Sequence, residues 1–339
     1  MEPHLKTSVE RVIEETDFSG VVRVARGDDV LYERASGLAD RAHGIANTAT
    51  TRFGIASGTK GFTALTIMSL VAEGSLTLDT PVRSVLGDAL ELIDTRVTVG
   101  HLLAHTSGIG DYFDEDSLDD IDEYEMPVSV RQLASTSDYL PVLRGHPTKF
   151  EAGARFEYCN GGFVVLALVA EAVSSRSFHD LAAERVFGPA GMTATGFPRS
   201  DELPGSAAFG YLPTESRMRT NQLHLPVRGS GDGGAYSTVG DFATFWPALF
   251  EGRIVPQPLV EEMVRPHNDA PEHSKRYGLG FWIRLDRDTP MLEGYDAGVS
   301  FRSAYDPPSR FTYTVMSNTS AGAWPLVELL DDSLPDLVR

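Results

Sequence analysis

The pattern of apolar and polar positions changes along the chain. Residues 5–16 repeat with a helical period, which predicts a short amphipathic helix. The stretch GVVRVARGDDVLYERASGLAD alternates around Gly27-Asp28-Asp29, which predicts a β-hairpin. Residues 79–210 are mostly helical segments separated by Pro and Gly, and GFVVLALVAEAVSS predicts a buried helix.

The alternating pattern returns near residue 277. Four segments predict strands of an antiparallel sheet, and a closing helix is predicted in PLVELLDDSL; the strands are YGLGFWIRL, MLEGY, SFRSAYD and RFTYTVMSN. Strands at both ends of a helical middle predict an α+β fold, an antiparallel β-sheet flanked by helices with an inserted all-helical domain. We expect residues 1–78 and 211–339 to form the discontinuous sheet domain and residues 79–210 to form the helical domain.

A lysine interrupts the apolar segment RFGIASGTKGFTALTIMSLVAEG, which predicts a mostly buried helix over residues 57–74. The chain has four lysines, and Lys60 follows Ser57 by three residues, on the same face of a helix. Burial and a helix N-terminus both lower the pKa of a lysine, so Lys60 could accept the proton of Ser57. The alternative is that Ser57 is a helix N-cap and Lys60 extends to solvent.

A second polar group, Tyr158-Cys159-Asn160, comes just before the buried helix. A Tyr-x-Asn turn places both polar tips on one side. A phenol near a cationic lysine has a lowered pKa and could relay a proton. Cys159 itself is expected to be a small buried residue.

The composition is that of a globular protein of 339 residues, with 42% apolar and 23% charged residues. The net charge of −19 argues against nucleic acid or an anionic membrane as partner. The single cysteine excludes an internal disulfide. There is no secretory signal and no apolar run of 18 residues, so we expect a cytoplasmic protein of undetermined oligomeric state.

Several other patterns predict no metal and no cofactor. His101 and His105 have the spacing of a zinc pair, but Leu102 stands where the catalytic glutamate would be. Gly61 follows Lys60 where a phosphate loop requires Ser or Thr, and GSGDGG is interpreted as a loop. Nine of the fifteen residues 111–125 are acidic, which indicates either a solvated face or an anionic lip at a site entrance.

Taken together, these motifs resemble the serine β-lactamase and penicillin-binding-protein superfamily, in its class C-like branch. Ser57-Gly58-Thr59-Lys60 matches S-x-x-K, Tyr158-Cys159-Asn160 matches Y-x-N, and further segments follow in the family's order: EGSLTLDTPV, LLAHTSGI, GGAYSTVGDFATF and YGLGFW. The resemblance implies a site at the junction of the two domains. It implies that Ser57 is the nucleophile, Lys60 and Tyr158 the proton-transferring pair, and Asn160 a hydrogen-bonding partner of Lys60 and the substrate.

The third motif of this branch, Lys-Thr-Gly or His-x-Gly, has no clear match. Tyr295-Asp296-Ala297 stands in its place as a substrate-binding triplet, and Gly298 follows. The resemblance implies an oxyanion hole made by the N–H groups of Ser57 and Gly298. Without the usual cation, and with Asp296 added, we expect neutral or amine-bearing substrates over carboxylate-bearing ones, unless Arg302 supplies a cation.

The sequence therefore predicts a serine hydrolase that cleaves a small-molecule ester or amide through an acyl-enzyme. Within the same family, a D-amino-acid peptidase or a weak β-lactamase is the alternative. An alternative from another class is a non-catalytic penicillin-binding or regulatory module, which the altered third motif favours.

Overall fold

The computed structural model describes residues 3–115, 120–214 and 217–337. The strands are β1 (Gly20–Arg26), β2 (Asp29–Ser36), β3 (Leu38–Asp40), β4 (Ile45–Ala46), β5 (Phe53–Gly54), β6 (Tyr211–Pro213), β7 (Met218–Thr220), β8 (Tyr236–Ser237), β9 (Asn268–Ala270), β10 (Lys275–Tyr277), β11 (Trp282–Arg284), β12 (Pro290–Asp296), β13 (Val299–Asp306) and β14 (Phe311–Ser317). The helices are α1 (Pro3–Glu15), α2 (Thr59–Ala72), α3 (Val82–Leu86), α4 (Val99–Leu103), α5 (Leu140–Leu143), α6 (Asn160–Ser174), α7 (Phe178–Ala182), α8 (Gly188–Ala190), α9 (Val239–Phe250), α10 (Gln257–Val264) and α11 (Trp324–Leu337).

An antiparallel sheet of eight strands is the centre of the fold, in the order β2-β1-β14-β13-β12-β11-β10-β9. Its strands come from both ends of the chain, as the alternating patterns predicted. Strands β13 and β14 are buried along their whole length, because helices cover both faces of the sheet. The predicted α+β class is confirmed.

Side chains on the two faces of the sheet pack into separate apolar clusters. Val22, Val24 and Val315 pack with α1 and α11 on one face. Val21 and Met316 alternate to the opposite face and join a larger cluster with α2, α6 and α9. The amphipathic helix predicted near the N-terminus is therefore α1, and its apolar stripe lies on the sheet.

The helical middle of the chain contains α3 to α8, which lie between residues 82 and 190. The predicted domain boundaries stay a prediction. Within the described residues, no single helix is long and apolar enough to cross a membrane; α6 and the segment Phe178–Ala190, which are bent by 86°, pass that test of length and composition only together.

Two buried helices bring their N-terminal ends together at one end of the large cluster. Helix α2 is buried from Thr59 to Leu70, and α6 is buried from Asn160 to Ala170. Each begins with a polar residue of a predicted motif, so the packing of α2 on α6 places Lys60 and Asn160 in contact.

Candidate active site

Ser57 lies in the 3-10 turn Ala56–Gly58, which precedes α2. The Lys60 side chain folds back under this turn and is only 2% exposed. Its Nζ donates to Ser57 Oγ at 2.8 Å, to Asn160 Oδ1 at 2.7 Å and to the backbone oxygen of Asp232 at 2.7 Å. The alternative of a solvent-reaching lysine is wrong, and Ser57 does not cap α2, whose N-cap is Gly58.

The electrostatic surroundings of Lys60 contain opposing effects. Burial lowers its pKa, and the negative charges of four carboxylates act in the opposite direction; these are Asp232, Glu115, Asp111 and Asp296. Burial has the larger effect, because the side chain is fully removed from water. The predicted direction of the Lys60 pKa shift is confirmed.

Tyr158 completes the group around Ser57. Its hydroxyl hydrogen-bonds to Ser57, and Lys60 Nζ lies 4.9 Å from the centre of its ring. Burial raises the pKa of Tyr158 well above its ordinary value, and the Glu115 charge adds to this. The predicted lowering of this pKa is therefore wrong, because desolvation exceeds any stabilisation by Lys60. Tyr158 is a protonated phenol at neutral pH.

Asn160 connects Lys60 to the acidic segment 111–125. Its Nδ2 donates to the backbone oxygen of Phe113 at 2.9 Å and to Glu115 Oε1 at 2.8 Å. Asp111, which is buried, accepts the N–H groups of Asn160 and Gly161 and so caps α6. The described part of the segment therefore borders the site, and a solvated face is the wrong interpretation for Asp111; residues 116–119 lie outside the described residues.

His105 contacts the segment Tyr158-Cys159-Asn160. Its Nδ1 accepts the N–H of Cys159 at 3.0 Å, and its ring centre lies 4.3 Å from that of Tyr158. Burial and the nearby Lys60 lower the pKa of His105 well below its ordinary value, so the imidazole is neutral. His101 instead closes a capping box with Thr98 at the start of α4. Both histidines thus contact backbone groups, and Cys159 is buried as expected.

The strand opposite Ser57 is β12, and its point of closest approach is Gly294. A Cβ at this position would lie 2.0 Å from the backbone oxygen of Ile55 and 3.0 Å from the nitrogen of Gly58. Only glycine fits here. We therefore assign the third motif to Leu292-Glu293-Gly294, three residues earlier than the predicted triplet. Leu292 is buried against Gly61 of α2, so the first motif position holds no cation.

The predicted oxyanion role of Gly298 is corrected by its hydrogen bond. Gly298 lies in the tight turn between β12 and β13 with φ +72°, and its N–H donates to Ser320 Oγ at 2.8 Å. Ala297 is buried in the same turn, and its oxygen accepts from Asn221 Nδ2 at 2.9 Å. Both residues therefore hold the turn together.

A different N–H group of β12 is directed toward the site. Asp296 and Val299 close a two-residue hairpin and so form a hydrogen-bonded pair. Because such pairs alternate along antiparallel strands, the N–H of Tyr295 points away from β13. Strand β11 pairs with β12 only at Pro290 and Met291 among the described residues, so this edge is open beside Ser57.

Two cavities meet at Ser57. A cleft on one side is bordered by Tyr158, Trp282, Lys275, Arg302 and Tyr295. Arg302 does not supply a free cation, because it is buried and pairs with Glu293 and with Asp331.

Lys275 in the same cleft donates to both carboxylate oxygens of Glu293, at 2.8 and 3.0 Å. Burial and the Arg302 charge lower the pKa of Lys275 to about 7. Lys275 and Arg302 in this cleft are therefore both hydrogen-bonded to carboxylates of the protein itself.

On the other side of Ser57 lies a second pocket. Asp296 and Asp232 both line it. Asp232 belongs to the Gly-rich loop 229–234, whose sequence predicts only a loop, because no pattern of spacing distinguishes this side chain.

A family model described as Beta-lactamase matches residues 6–331. The chain is 29% identical to the D-aminopeptidase of Brucella anthropi over 274 residues, 77% of this chain and 48% of that protein. It is 33% identical to esterase EstB of Burkholderia gladioli over 228 residues, 61% of this chain and 54% of the esterase. The chain spans about half to two thirds of the length of the curated relatives it matches.

A solved structure is similar over nearly the whole chain. The crystal structure of a penicillin binding protein from Bacillus halodurans has a TM-score of 0.89 and 38% sequence identity, and the match covers 96% of this chain and 99% of that chain. The similarity includes both the sheet and the helical middle.

The close approach of Gly294 to the Ser57 turn predicts a large effect of one added methyl group. Gly294→Ala should lower kcat by roughly 10²–10³-fold, because the strand must move away from Ser57 and take its N–H with it. Gly205→Ala, whose added methyl group meets no atom within 4 Å, is the matched control. The test is to measure kcat of both variants on the same ester by steady-state kinetics. An unchanged kcat in Gly294→Ala would contradict the assignment of the third motif.

Proposed function

Because this chain belongs to the Beta-lactamase family, which includes esterases and D-amino acid amidases, we propose that it cleaves an ester or amide through an acyl-enzyme on Ser57. One observation carries the proposal: a lysine whose pKa is lowered by burial donates to the hydroxyl of Ser57 at 2.8 Å. A neutral amine at that distance can take the serine proton as the oxygen attacks.

In the acylation step, Ser57 Oγ forms a bond to the substrate carbonyl carbon while its proton moves to Lys60 Nζ. The carbonyl oxygen becomes an oxyanion. Collapse of this intermediate breaks the bond to the leaving group, which takes a proton from the Tyr158 hydroxyl. Lys60 then transfers the proton that it took from Ser57 to the oxygen of Tyr158, which restores the phenol. The raised pKa of Tyr158 suits this role, because the phenol is protonated when the leaving group needs a proton.

The oxyanion requires two N–H donors beside Ser57. The N–H of Ser57 is one. The N–H of Tyr295 takes the second place, since it points from the open edge of β12 into the region that Ser57 borders. Both donors are backbone groups, so a third motif without Lys or His does not prevent oxyanion stabilisation.

In deacylation, water replaces the leaving group. The Lys60–Tyr158 pair accepts a proton of the water as its oxygen attacks the acyl carbon. The pair passes this proton to Ser57 Oγ when the bond between Oγ and the acyl carbon breaks, which releases the acid and restores the serine. Lys60 and Tyr158 both hydrogen-bond to Ser57, so the two residues form one coupled group. An apparent pKa measured for this group belongs to the pair and not to either residue alone.

A D-amino-acid peptidase fits the same machinery, and the name of the Brucella anthropi relative favours it as a second candidate. A non-catalytic module is favoured by the missing cation of the third motif alone. The hydrogen-bonded Ser57 and Lys60 favour turnover. A module of this kind would be acylated by a penicillin without releasing it, and intact-mass measurement over time separates the two.

Replacement of the nucleophile should abolish turnover. Ser57→Ala should also prevent the mass increase that a fluorophosphonate probe produces, while thermal unfolding changes little, since one hydroxyl contributes about 1 kcal/mol. Ser75→Ala, an exposed serine after the same helix, is the control. Activity of Ser57→Ala within tenfold of wild type would rule out the acyl-enzyme on this residue.

The proton-transferring pair should respond as one unit. Lys60→Ala and Tyr158→Phe should each lower the rate of acylation by roughly 10²–10⁴-fold. The double variant should lose far less than the product of the two effects, because each residue depends on the other. Lys6→Ala on the exposed face of α1 is the control. Single-turnover kinetics measure the step, and multiplicative losses would argue against the pair.

The dependence of kcat/KM on pH should reveal the neutral lysine. Lys60 is active above its own pKa, so activity should rise with pH at values below the ordinary lysine pKa of about 10.4. The Asp296 charge raises the pKa of Lys60, so Asp296→Asn should move the rising limb to lower pH. Asp29→Asn, an exposed carboxylate on β2, should leave it in place. A limb that stays or moves upward in Asp296→Asn would contradict the coupling.

A further inference from the structure

The pocket beside Ser57, called here the tyrosine pocket, combines aromatic rings with two carboxylates. The rings are those of Tyr112, Phe113, Tyr124, Tyr139 and Tyr236. The carboxylates are those of Asp232 and Asp296. No lysine or arginine is among the described residues that border it, and burial lowers the pKa of the bordering His224, which is therefore neutral.

Asp232 has two separate roles in its contacts. Its backbone oxygen accepts from Lys60, and its side chain, in a residue that is 8% exposed, borders the pocket and accepts the Tyr112 hydroxyl at 2.5 Å. Asp296 approaches from β12, and its Oδ1 accepts the N–H of Ala297 at 2.9 Å. Both carboxyl groups border the same pocket. Burial raises the pKa of Asp296 to about 7, and the charges of Glu115 and Asp232 add to this effect.

The described residues that border this pocket supply no positively charged partner for its two carboxyl groups. Lys60 acts electrostatically on both carboxyl groups, but it must be neutral to act as a base. Burial raises the pKa of Asp232 and of Asp296, as expected for carboxylates without a full positive partner. A cation entering the pocket would pair with both, and the faces of the tyrosine rings attract positive charge as well.

The two cavities differ in which step of the reaction they serve. Tyr158, which protonates the leaving group, borders the cleft with Trp282 and Lys275. The leaving group therefore departs into that cleft. Ser57 borders both cavities, so the acyl part of the substrate occupies the tyrosine pocket.

We propose that the tyrosine pocket binds a primary ammonium group on the acyl part of the substrate, held between Asp232 and Asp296. This rests on the proposed acyl-enzyme function. We choose a primary ammonium because its three N–H donors can bond both carboxylates at once, whereas a quaternary ammonium has no N–H donor. The substrates are then esters or amides of amino acids, or of other acids that carry an amine near the carbonyl.

The test is a series of p-nitrophenyl esters of increasing acyl length that end in an ammonium group, a methyl group or a carboxylate. At the best length, kcat/KM for the ammonium ester should exceed that for the methyl ester by roughly 10- to 100-fold, as for a charge-assisted hydrogen bond. The carboxylate ester should be the poorest. Asp232→Asn and Asp296→Asn should each reduce the ammonium-to-methyl ratio about tenfold or more, and Asp29→Asn should preserve it.

The ratio separates this proposal from the acyl-enzyme itself. Ser57-dependent hydrolysis of the methyl ester with a ratio near one would overturn the ammonium site and leave the serine hydrolase intact. A preference that survives both Asp variants but falls in Glu115→Gln would place the cation in the cleft and also overturn it. A preference for a trimethylammonium ester over the primary one would overturn the choice of a primary ammonium.

An inhibition measurement on the wild-type protein tests the proposal without any variant, and so it remains valid if the Asp variants fail to fold. Butylamine should inhibit hydrolysis of the methyl ester competitively, whereas butanol at the same concentration should not. Equal effects of the two compounds would count against the proposal.

Discussion

The hydrogen bonds of the Lys60 amine are the interaction on which this site depends. A buried amine needs partners, and its three come from different parts of the chain: Ser57 before α2, Asn160 at the start of α6, and the backbone of the loop 229–234. No local element could bring these together. The site therefore exists only when the helical middle has packed on the segments at both ends, and its geometry is a property of the whole fold.

A second layer of contacts keeps those partners in place. Asp111 caps α6 at the point where Asn160 begins, and His105 holds the Cys159 N–H beside Tyr158. His105 has a positive φ of 54°, a conformation unusual for histidine, so this turn is held by its surroundings. The side chains of Asp111 and His105 are hydrogen-bonded to backbone N–H groups, and these bonds fix the orientation of the segment that carries Tyr158 and Asn160.

The sequence predicted the parts of the site that depend on local spacing. S-x-x-K lies within four residues, so a helix start suffices to predict the contact of Lys60 with Ser57, whereas the contact with Asn160 was implied by the family resemblance. The third motif was predicted three residues too late in the sequence. The position of β12 beside the Ser57 turn depends on the close approach that only Gly294 allows, and the alternation of apolar and polar residues does not reveal it.

Asp232 was missed, since a glycine-rich loop has no period that shows which side chain faces a pocket. The pKa direction of Tyr158 was predicted wrongly for a related reason. It depends on the balance between burial and charge, and the four carboxylates around Lys60 come from segments far apart in the sequence. The fold class needed only the order of elements, and this is why it was predicted well.

The main chain and the side chain of Asp232 make different contacts. The carbonyl that accepts from Lys60 is common to every amino acid, whereas the carboxylate borders the pocket and opposes the lowering of the Lys60 pKa by burial. A substitution at position 232 would therefore keep the backbone acceptor of Lys60, but it would change the wall of the pocket and the electrostatic surroundings of the lysine together.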